Sequence, residues 1–522
     1  MVLFDIMTGL EKQKSIQPST HHMLRRYLTP FYVFTLGLAL ILAFSACNGK
    51  GGIKVGADRA TKEALSANTA SPTQAVIQGE ISGTPTILPA IPATPNENTP
   101  SPLGVTTNDL NGLQVNLWYP WSGTLGATFQ GIVDEFNRSN QWGISVQAKG
   151  FEGFGRVDEA VDAALTAGSL PDLMIDYGYQ AQRWDGYGIL ADLAPYVTDP
   201  VWGLTSDEQA DFFTPFWSED VRSDQAGQTW RIGIPYYRSA YVLFYNQSWA
   251  EELGYPNPPK SPEDLRVRAC AAAEAFARLG DKSNLGKGGY LMTSQPGELA
   301  GWIYAFGGEI TNPNGSGYLF NTPETNQAFT YLKGLQGSGC AWLETEGEPQ
   351  VEFAKRQALF IVGSLNDIPA QRAAFTQAGN EDQWMVIAFP STKQAVIDTF
   401  GPSLLMSRSS GEQQLASWLV VEWLVYPPNQ AAWVRALEVY PTRQSSVTYM
   451  GNISEVNPQW EQAMGLIPDA HAEPSIASWS VMRWAFEDAA IQLFSPQFLA
   501  ERIPELIINL DNLANEVSSQ VH

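Results

Sequence analysis

The sequence predicts an α/β fold in which helices cover both faces of a mainly parallel sheet. Short strand patterns alternate with amphipathic helical ones from residue 113 onward, as βαβ crossovers require. No unit of 20–50 residues recurs, which argues against a solenoid or propeller. The 17 Trp, 19 Tyr and 24 Phe provide bulk for a folded core, and 522 residues suffice for two or three domains.

The elements follow in order. Leu113-Gln114-Val115-Asn116-Leu117-Trp118 alternates apolar and polar, the pattern of a half-buried strand. After the turn Pro120-Trp121-Ser122-Gly123, the spacing of Phe129, Ile132, Val133 and Phe136 predicts a helix. Ile144–Val146 reads as a second strand, Val157–Ala167 as a helix closed by Gly168, and Asp172–Ile175 as a third strand. In such sheets ligands bind beyond the carboxyl ends of the strands, where the loops starting at Tyr119 and Asp176 lie. Ala240–Asn246 and Trp384–Phe389 read as further strands, with helices around 262–279, 324–337 and 411–426. The closing helix, Pro504–Ser518, carries Leu506, Ile507, Leu510, Leu513 and Val517 at helical spacing.

The amino terminus reads as an export signal. Leu24-Arg25-Arg26 precedes an apolar run from Phe31 to Ala46 that ends in Ser45-Ala46-Cys47. Its 16 residues fall short of the roughly 20 that cross a bilayer as a helix. Small residues directly before a cysteine resemble a bacterial lipobox, which implies a signal peptide over 1–46 and a lipid-modified Cys47 as mature amino terminus. Met23 would give a shorter signal than Met1. Residues 47–110 are rich in Pro, Thr, Ser and Gly with no apolar period, so a disordered linker is expected. As a flexible coil its reach would be on the order of 45 Å. The expected location is therefore the outer face of the cytoplasmic membrane. Cys270 and Cys340 would then meet an environment in which disulfides persist. A bridge between them is expected, with two buried free thiols as the alternative.

Charge and histidine content exclude a good deal. The net charge of −23 becomes about −25 without the leader, which repels phosphate backbones and argues against nucleic-acid binding. Of four histidines only His471 lies within the body, in Asp469-Ala470-His471-Ala472-Glu473-Pro474, which reads as a surface loop. A His-dependent triad or a His-rich zinc site therefore has little to draw on. Neither a metal nor a cofactor is expected.

Longer-range motifs resemble the extracellular solute-binding proteins of ABC importers, in the group of maltodextrin- and glycerol-phosphate-binding receptors. The similarity spans 113–520. It is carried by Val133-Asp134-Glu135-Phe136-Asn137, Ala167-Gly168-Ser169-Leu170-Pro171-Asp172-Leu173, and Ile234-Pro235 followed by Val242-Leu243-Phe244-Tyr245-Asn246. Ala305-Phe306-Gly307-Gly308, Ala358–Ser364, Trp384–Pro390 and Tyr440-Pro441-Thr442-Arg443 continue the order. Gln247 and Ser261-Pro262 depart from the family's pattern. The resemblance implies two α/β lobes of discontinuous segments, joined by hinge strands around a ligand cleft. Lobe one would comprise 113–238 plus 400–440, and lobe two 240–395 plus 445–522.

It also implies where a ligand would sit. The matching positions are Trp121 and Ser122 after the first strand, Asp176, Tyr177 and Tyr179 after the third, and Arg238 and Ser239 in the hinge. In the second lobe they are Gln295, Glu298, Trp302, Gly363, Ser364 and Trp479. Aromatic faces and planar polar groups suit a sugar. The implied function is capture of a small-molecule solute, most simply a carbohydrate, by a monomeric receptor that serves an ABC permease. A phosphorylated polyol such as glycerol phosphate is the alternative ligand. An exported two-carboxylate glycosidase and a structural surface lipoprotein are the competing classes, and neither has a motif in its favour.

Overall fold

Gln114–Tyr119 (β1) pairs in parallel with Ser145–Gly150 (β2) on one side and with Leu173–Tyr177 (β3) on the other. The first helix, Gly123–Ser139 (α1), buries Phe129, Ile132, Val133 and Phe136, and the second, Phe154–Ala167 (α2), buries Val157 and Val161. Gly168 ends α2 at φ 66°, a left-handed cap that glycine adopts without a Cβ penalty. Gly178–Gly186 (α3) follows β3 directly. This computed structural model describes residues 101–520, apart from 225, 280–286, 314 and 345–346. The leader, Cys47 and most of the linker lie outside the described residues.

Two larger sheets organise the body. In the first, the order is β2-β1-β3, then Pro402–Met406 (here β11) and Ile234–Pro235 (β4). The second is built around the long Tyr237–Asn246 (β5). Its main path runs through Tyr290–Met292 (β6), Ala341–Leu343 (β7), Phe360–Ser364 (β8), Ile397–Phe400 (β10) and Ala470–Ala472 (β13). Trp384–Ile387 (β9) and Tyr440–Pro441 (β12) also pair with β5. The expected parallel character holds for β2-β1-β3 and for β8-β6-β7. It fails at β5 and β11, whose sheet partners among the described residues all run antiparallel to them. The reason is local: these strands return directly from one sheet to the other, with no crossover helix to reset direction.

The chain passes between the sheets at two adjacent points. Tyr236 alone separates β4 from β5, and Gly401 alone separates β10 from β11. A Cβ at Gly401 would lie 2.5 Å from Tyr237 O and 3.0 Å from Arg238 Cα, so the two crossing strands approach as closely as backbone permits.

Helices cover the sheets. Gly411–Val425 (α7) and Pro427–Leu437 (α8) pack with α1. Pro262–Arg278 (α4), Pro296–Ala305 (α5) and Pro323–Gly337 (α6) belong to the second region, with Trp479–Leu493 (α9) and Ile503–Gln520 (α10). Ser261 and Thr322 cap α4 and α6 ahead of a first-turn proline, the usual start signal. Cys270 Sγ and Cys340 Sγ lie 1.97 Å apart, joining α4 to the segment that leads into β7.

Two segments differ from expectation. Residues 101–110 fall at the end of the expected linker, yet Leu110 is fully buried and Thr107–Leu110 forms a helical turn. Val105 and Leu110 are the apolar anchors that dock it, and Ser101 Oγ donates to Asp199 at 2.7 Å. The stretch around His471, read as a surface loop, forms β13 at the edge of the second sheet. Ala-His-Ala carries no β-branched residue to announce a strand, and pairing with Ile397–Thr399 supplies what propensity does not.

Candidate functional site

The crossing strands form the floor of the space between the two sheets. Arg238 is 1% exposed there. Its Nε donates to Glu219 at 2.6 Å and its Nη1 to the carbonyls of Tyr237 and Pro402. Nη2 donates to Ser403 Oγ and lies 3.7 Å from Asp220. The guanidinium is thus consumed by groups on both crossing strands. Ser239, next in sequence, is fully buried with an unpartnered Oγ.

The end of β3 supplies one wall. Asp176 is fully buried, and its Oδ1 accepts from the Tyr177 amide at 2.8 Å. Burial, reinforced by the Asp158 carboxylate, holds its pKa well above the carboxylate range. Tyr177 and Tyr179 stack at 5.4 Å and 7°. Tyr177 also rests on Phe154 at 4.4 Å.

The opposite wall comes from the second sheet and α9. Trp479 is buried and donates through Nε1 to Glu473 at 3.1 Å. One turn further along α9, Arg483 Nη1 donates to Tyr179 Oη at 2.8 Å, a direct bond from the second region to the first. Tyr241 and Asp398 face each other across the β5–β10 ladder, and Tyr241 packs on Phe400 at 4.8 Å. Asp398 is 2% exposed, and its Oδ1 has no hydrogen-bond partner among the described residues. Burial, then the field of Glu473, raises its pKa well above normal. Burial also raises that of Glu473.

The other expected positions lie as follows. Trp121 sits in the first hydrophobic core, 4.3 Å from the Trp433 ring. Ser122 is exposed ahead of α1. Gln295 is exposed at the start of α5. Glu298 is fully buried, accepting from Tyr290 Oη at 2.5 Å and from the Thr293 amide and hydroxyl at 2.7 Å each. Trp302 is core and donates to Tyr290 Oη at 3.0 Å. Gly363 lies under the Phe244 ring, and Ser364 bonds Asp367. Asp176, Tyr177, Tyr179 and Trp479 are therefore brought to one space with Arg238 and Ser239. Glu298 and Trp302 belong to a separate buried lock.

Sequence reasoning missed Tyr241, Asp398, Glu473 and Arg483. A signal existed for Arg483, which stands four residues after Trp479 on a helix and so shares its face. His471 is half-buried, stacked on Tyr304 at 3.7 Å and 2.9 Å from Glu309. A separate depression of about 660 Å³, lined by Pro262, Phe306 and Tyr331, lies at the far end of α5 and carries none of these charged groups. Among the described residues no cluster of His, Cys, Asp and Glu could hold a metal ion, and no helix is long and apolar enough to cross a membrane.

Comparison with known proteins places the chain in a family. The family profile of bacterial extracellular solute-binding proteins matches residues 131–464. The chain belongs to that family. A binding protein of Brucella abortus (strain 2308) is 26% identical over 324 residues, which is 60% of this chain and 72% of the relative. The cyclic α-maltosyl-1,6-maltose binding protein of Arthrobacter globiformis superposes with a TM-score of 0.65 at 19% identity, covering 78% of this chain and 99% of that one. UgpB of Mycobacterium tuberculosis, solved with glycerophosphocholine, gives a TM-score of 0.59 at 17% identity over 78% and 98%. The solute-binding protein thus has a two-sheet fold with a polar, aromatic-walled space where the sheets are joined.

Proposed function

We propose that this solute-binding protein captures a saccharide outside the cell and passes it to an ABC permease. The observation that carries this reading is the meeting of aromatic faces from both regions around unsatisfied polar groups. Tyr177 and Tyr179 come from one wall, Tyr241 and Trp479 from the other, and Arg483 bonds across. Flat rings take the C–H faces of a pyranose, and the planar carboxyl and guanidinium groups between them take its hydroxyls. The likeness to a maltosyl-maltose binder supports a sugar.

We assign lobe one to 113–238 plus 400–440 and lobe two to 240–395 plus 445–522, with closure about the paired crossings at Tyr236 and Gly401. Ligand would stabilise the closed form by touching both lobes. The contact set is Asp176, Tyr177, Tyr179 and Trp479, joined by Tyr241, Asp398, Glu473 and Arg483. Arg238 acts as a hinge clamp, and Glu298, Trp302 and Trp121 act in packing. A lipid at Cys47 would hold the body beside its permease and raise its local concentration there. A phosphorylated polyol is the second reading, favoured by Arg483 and by the likeness to a protein solved with glycerophosphocholine.

Thermal denaturation against a panel of saccharides and polyol phosphates tests this. Ligand at about a hundredfold over its Kd should stabilise by about 2.7 kcal/mol. Stabilisation by phosphate esters and by no saccharide would reject the sugar. The intact mass of the native amino-terminal peptide tests the anchor, and an unmodified Cys47 would reject it.

A further inference from the structure

The charged groups around the cleft do not balance. Arg238 is saturated by Glu219, Ser403 and two carbonyls, with Asp220 nearby. Arg183 is held at 2.6 Å by Asp162. His471, the ladder partner of Asp398, is engaged by Glu309 at 2.9 Å. That leaves Arg483 to face Asp398 and Glu473. Arg483 itself donates to a neutral phenol, Tyr179 Oη, at 2.8 Å.

Asp398 is the most exceptional member. Its side chain is 98% buried and Oδ1 has no partner among the described residues. The ladder register pairs Asp398 with Tyr241 and Phe400 with Ser239, which puts all four side chains on one face of the sheet. Ser239 Oγ, on that same face, is also buried and unpartnered. Tyr241 on this face feels the fields of Arg483 and Glu473, which belong to the same wall. A buried carboxylate with no donor is costly, and proteins keep one where something else completes it. Two unpartnered polar oxygens beside the tyrosine and phenylalanine rings suit a cation: aromatic faces attract positive charge and a carboxylate bonds it directly.

We propose that Asp398, assisted by Glu473, makes this cleft select a solute bearing a protonated amine, an amino-substituted saccharide, over neutral and phosphorylated ones. This rests on the reading of the cleft as a saccharide site. The ammonium group donates to Asp398 and Ser239 on the face of Tyr241 and Phe400, and the sugar ring lies against Tyr177 and Trp479. An anionic group in the same place would meet two carboxyl groups, Asp398 and Glu473, for one available guanidinium.

Isothermal titration of the protein with the glucosamine disaccharide, its N,N′-diacetyl form and maltose 1-phosphate tests the proposal, at a pH where the amine is protonated. The free amine should bind about tenfold or more tightly than the acetylated form, as one buried charge-assisted bond allows. Maltose phosphate should give no heat. In Asp398→Asn the amine-to-acetyl ratio should fall to about one, and in Glu473→Gln it should fall part of the way. Melting curves of both variants establish that they fold, and Glu473→Gln decides alone if Asp398→Asn does not. Equal affinity for the two disaccharides in the parent protein, or a ratio that survives in every folded variant, overturns the proposal while leaving the saccharide reading in place. Heat from maltose phosphate alone overturns both.

Discussion

Arg238 and Arg483 both lie among the polar groups between the two sheets, and their surroundings differ sharply. Arg238 sits on a crossing strand and is clamped to Glu219, Ser403 and two backbone carbonyls. Arg483 sits on α9 and reaches across to one tyrosine, near Asp398, whose Oδ1 is left without a donor. A saturated buried ion holds the fold in one geometry. An unsaturated cluster costs stability and waits for a partner. On the proposed reading the first arrangement belongs to the hinge and the second to the ligand.

The largest expected effect breaks this contrast at its rigid end. Arg238→Met should cost about 3–5 kcal/mol, because it strands Glu219 and Asp220 in a buried setting. Arg483→Met should cost less, because it loses one bond to a neutral phenol and its field on Glu473 and Asp398. Denaturant unfolding of the two variants measures the difference, and equal losses would erase the distinction. Next in size is the Cys270–Cys340 link, which closes a loop between α4 and the segment before β7. Its removal by paired alanine substitution should cost about 2–4 kcal/mol. Urea unfolding of the second region followed by a local tryptophan signal would check it.

The Glu298 lock gives a smaller effect with a defined pH signature. Burial pushes this carboxyl up to about 7, against hydrogen bonds from Thr293 and Tyr290 that pull it down. The native state therefore keeps a proton that the unfolded chain gives up nearer pH 4.5. The stability that proton represents is present at low pH and is lost as pH rises through about 7. Glu298→Gln should flatten this slope of melting temperature against pH, while losing about 1–3 kcal/mol because its amide nitrogen cannot accept from Tyr290 Oη. Smallest of all, Asp398→Asn should leave the unliganded protein as stable as the parent or slightly more so at alkaline pH. Burial there opposes the charged form, so ionisation costs native stability as pH rises.

Much of the fold was legible because its elements are local. The pattern of Phe129, Ile132, Val133 and Phe136 marks α1, Gly168 marks the end of α2, and the closing helix extends only slightly beyond its apolar spacing. The strand at 470–472 was not legible, because its partner at 397–399 lies some seventy residues away and its own sequence is bland. The cleft divides the same way. Asp176 and Tyr177 end β3 and Tyr179 opens α3, at the carboxyl end of a parallel strand, the edge where such sheets take ligands. Asp398, Glu473 and Arg483 come from three separate elements and converge only in the fold. Glu298 and Trp302 stand in the expected segment, yet the turn of α5 directs both into the Tyr290 network and away from the cleft. Position along a chain predicts neighbourhood, whereas side-chain direction depends on what packs above it.

The most direct test is a side-by-side calorimetric titration of saccharides into the parent protein and Arg483→Met, with melting temperatures recorded for both. The account predicts one binding site in the parent and an affinity at least about tenfold weaker in the variant, with the fold intact. Equal affinities in the two proteins would contradict it, because the ligand would then lie somewhere other than between Tyr179 and α9.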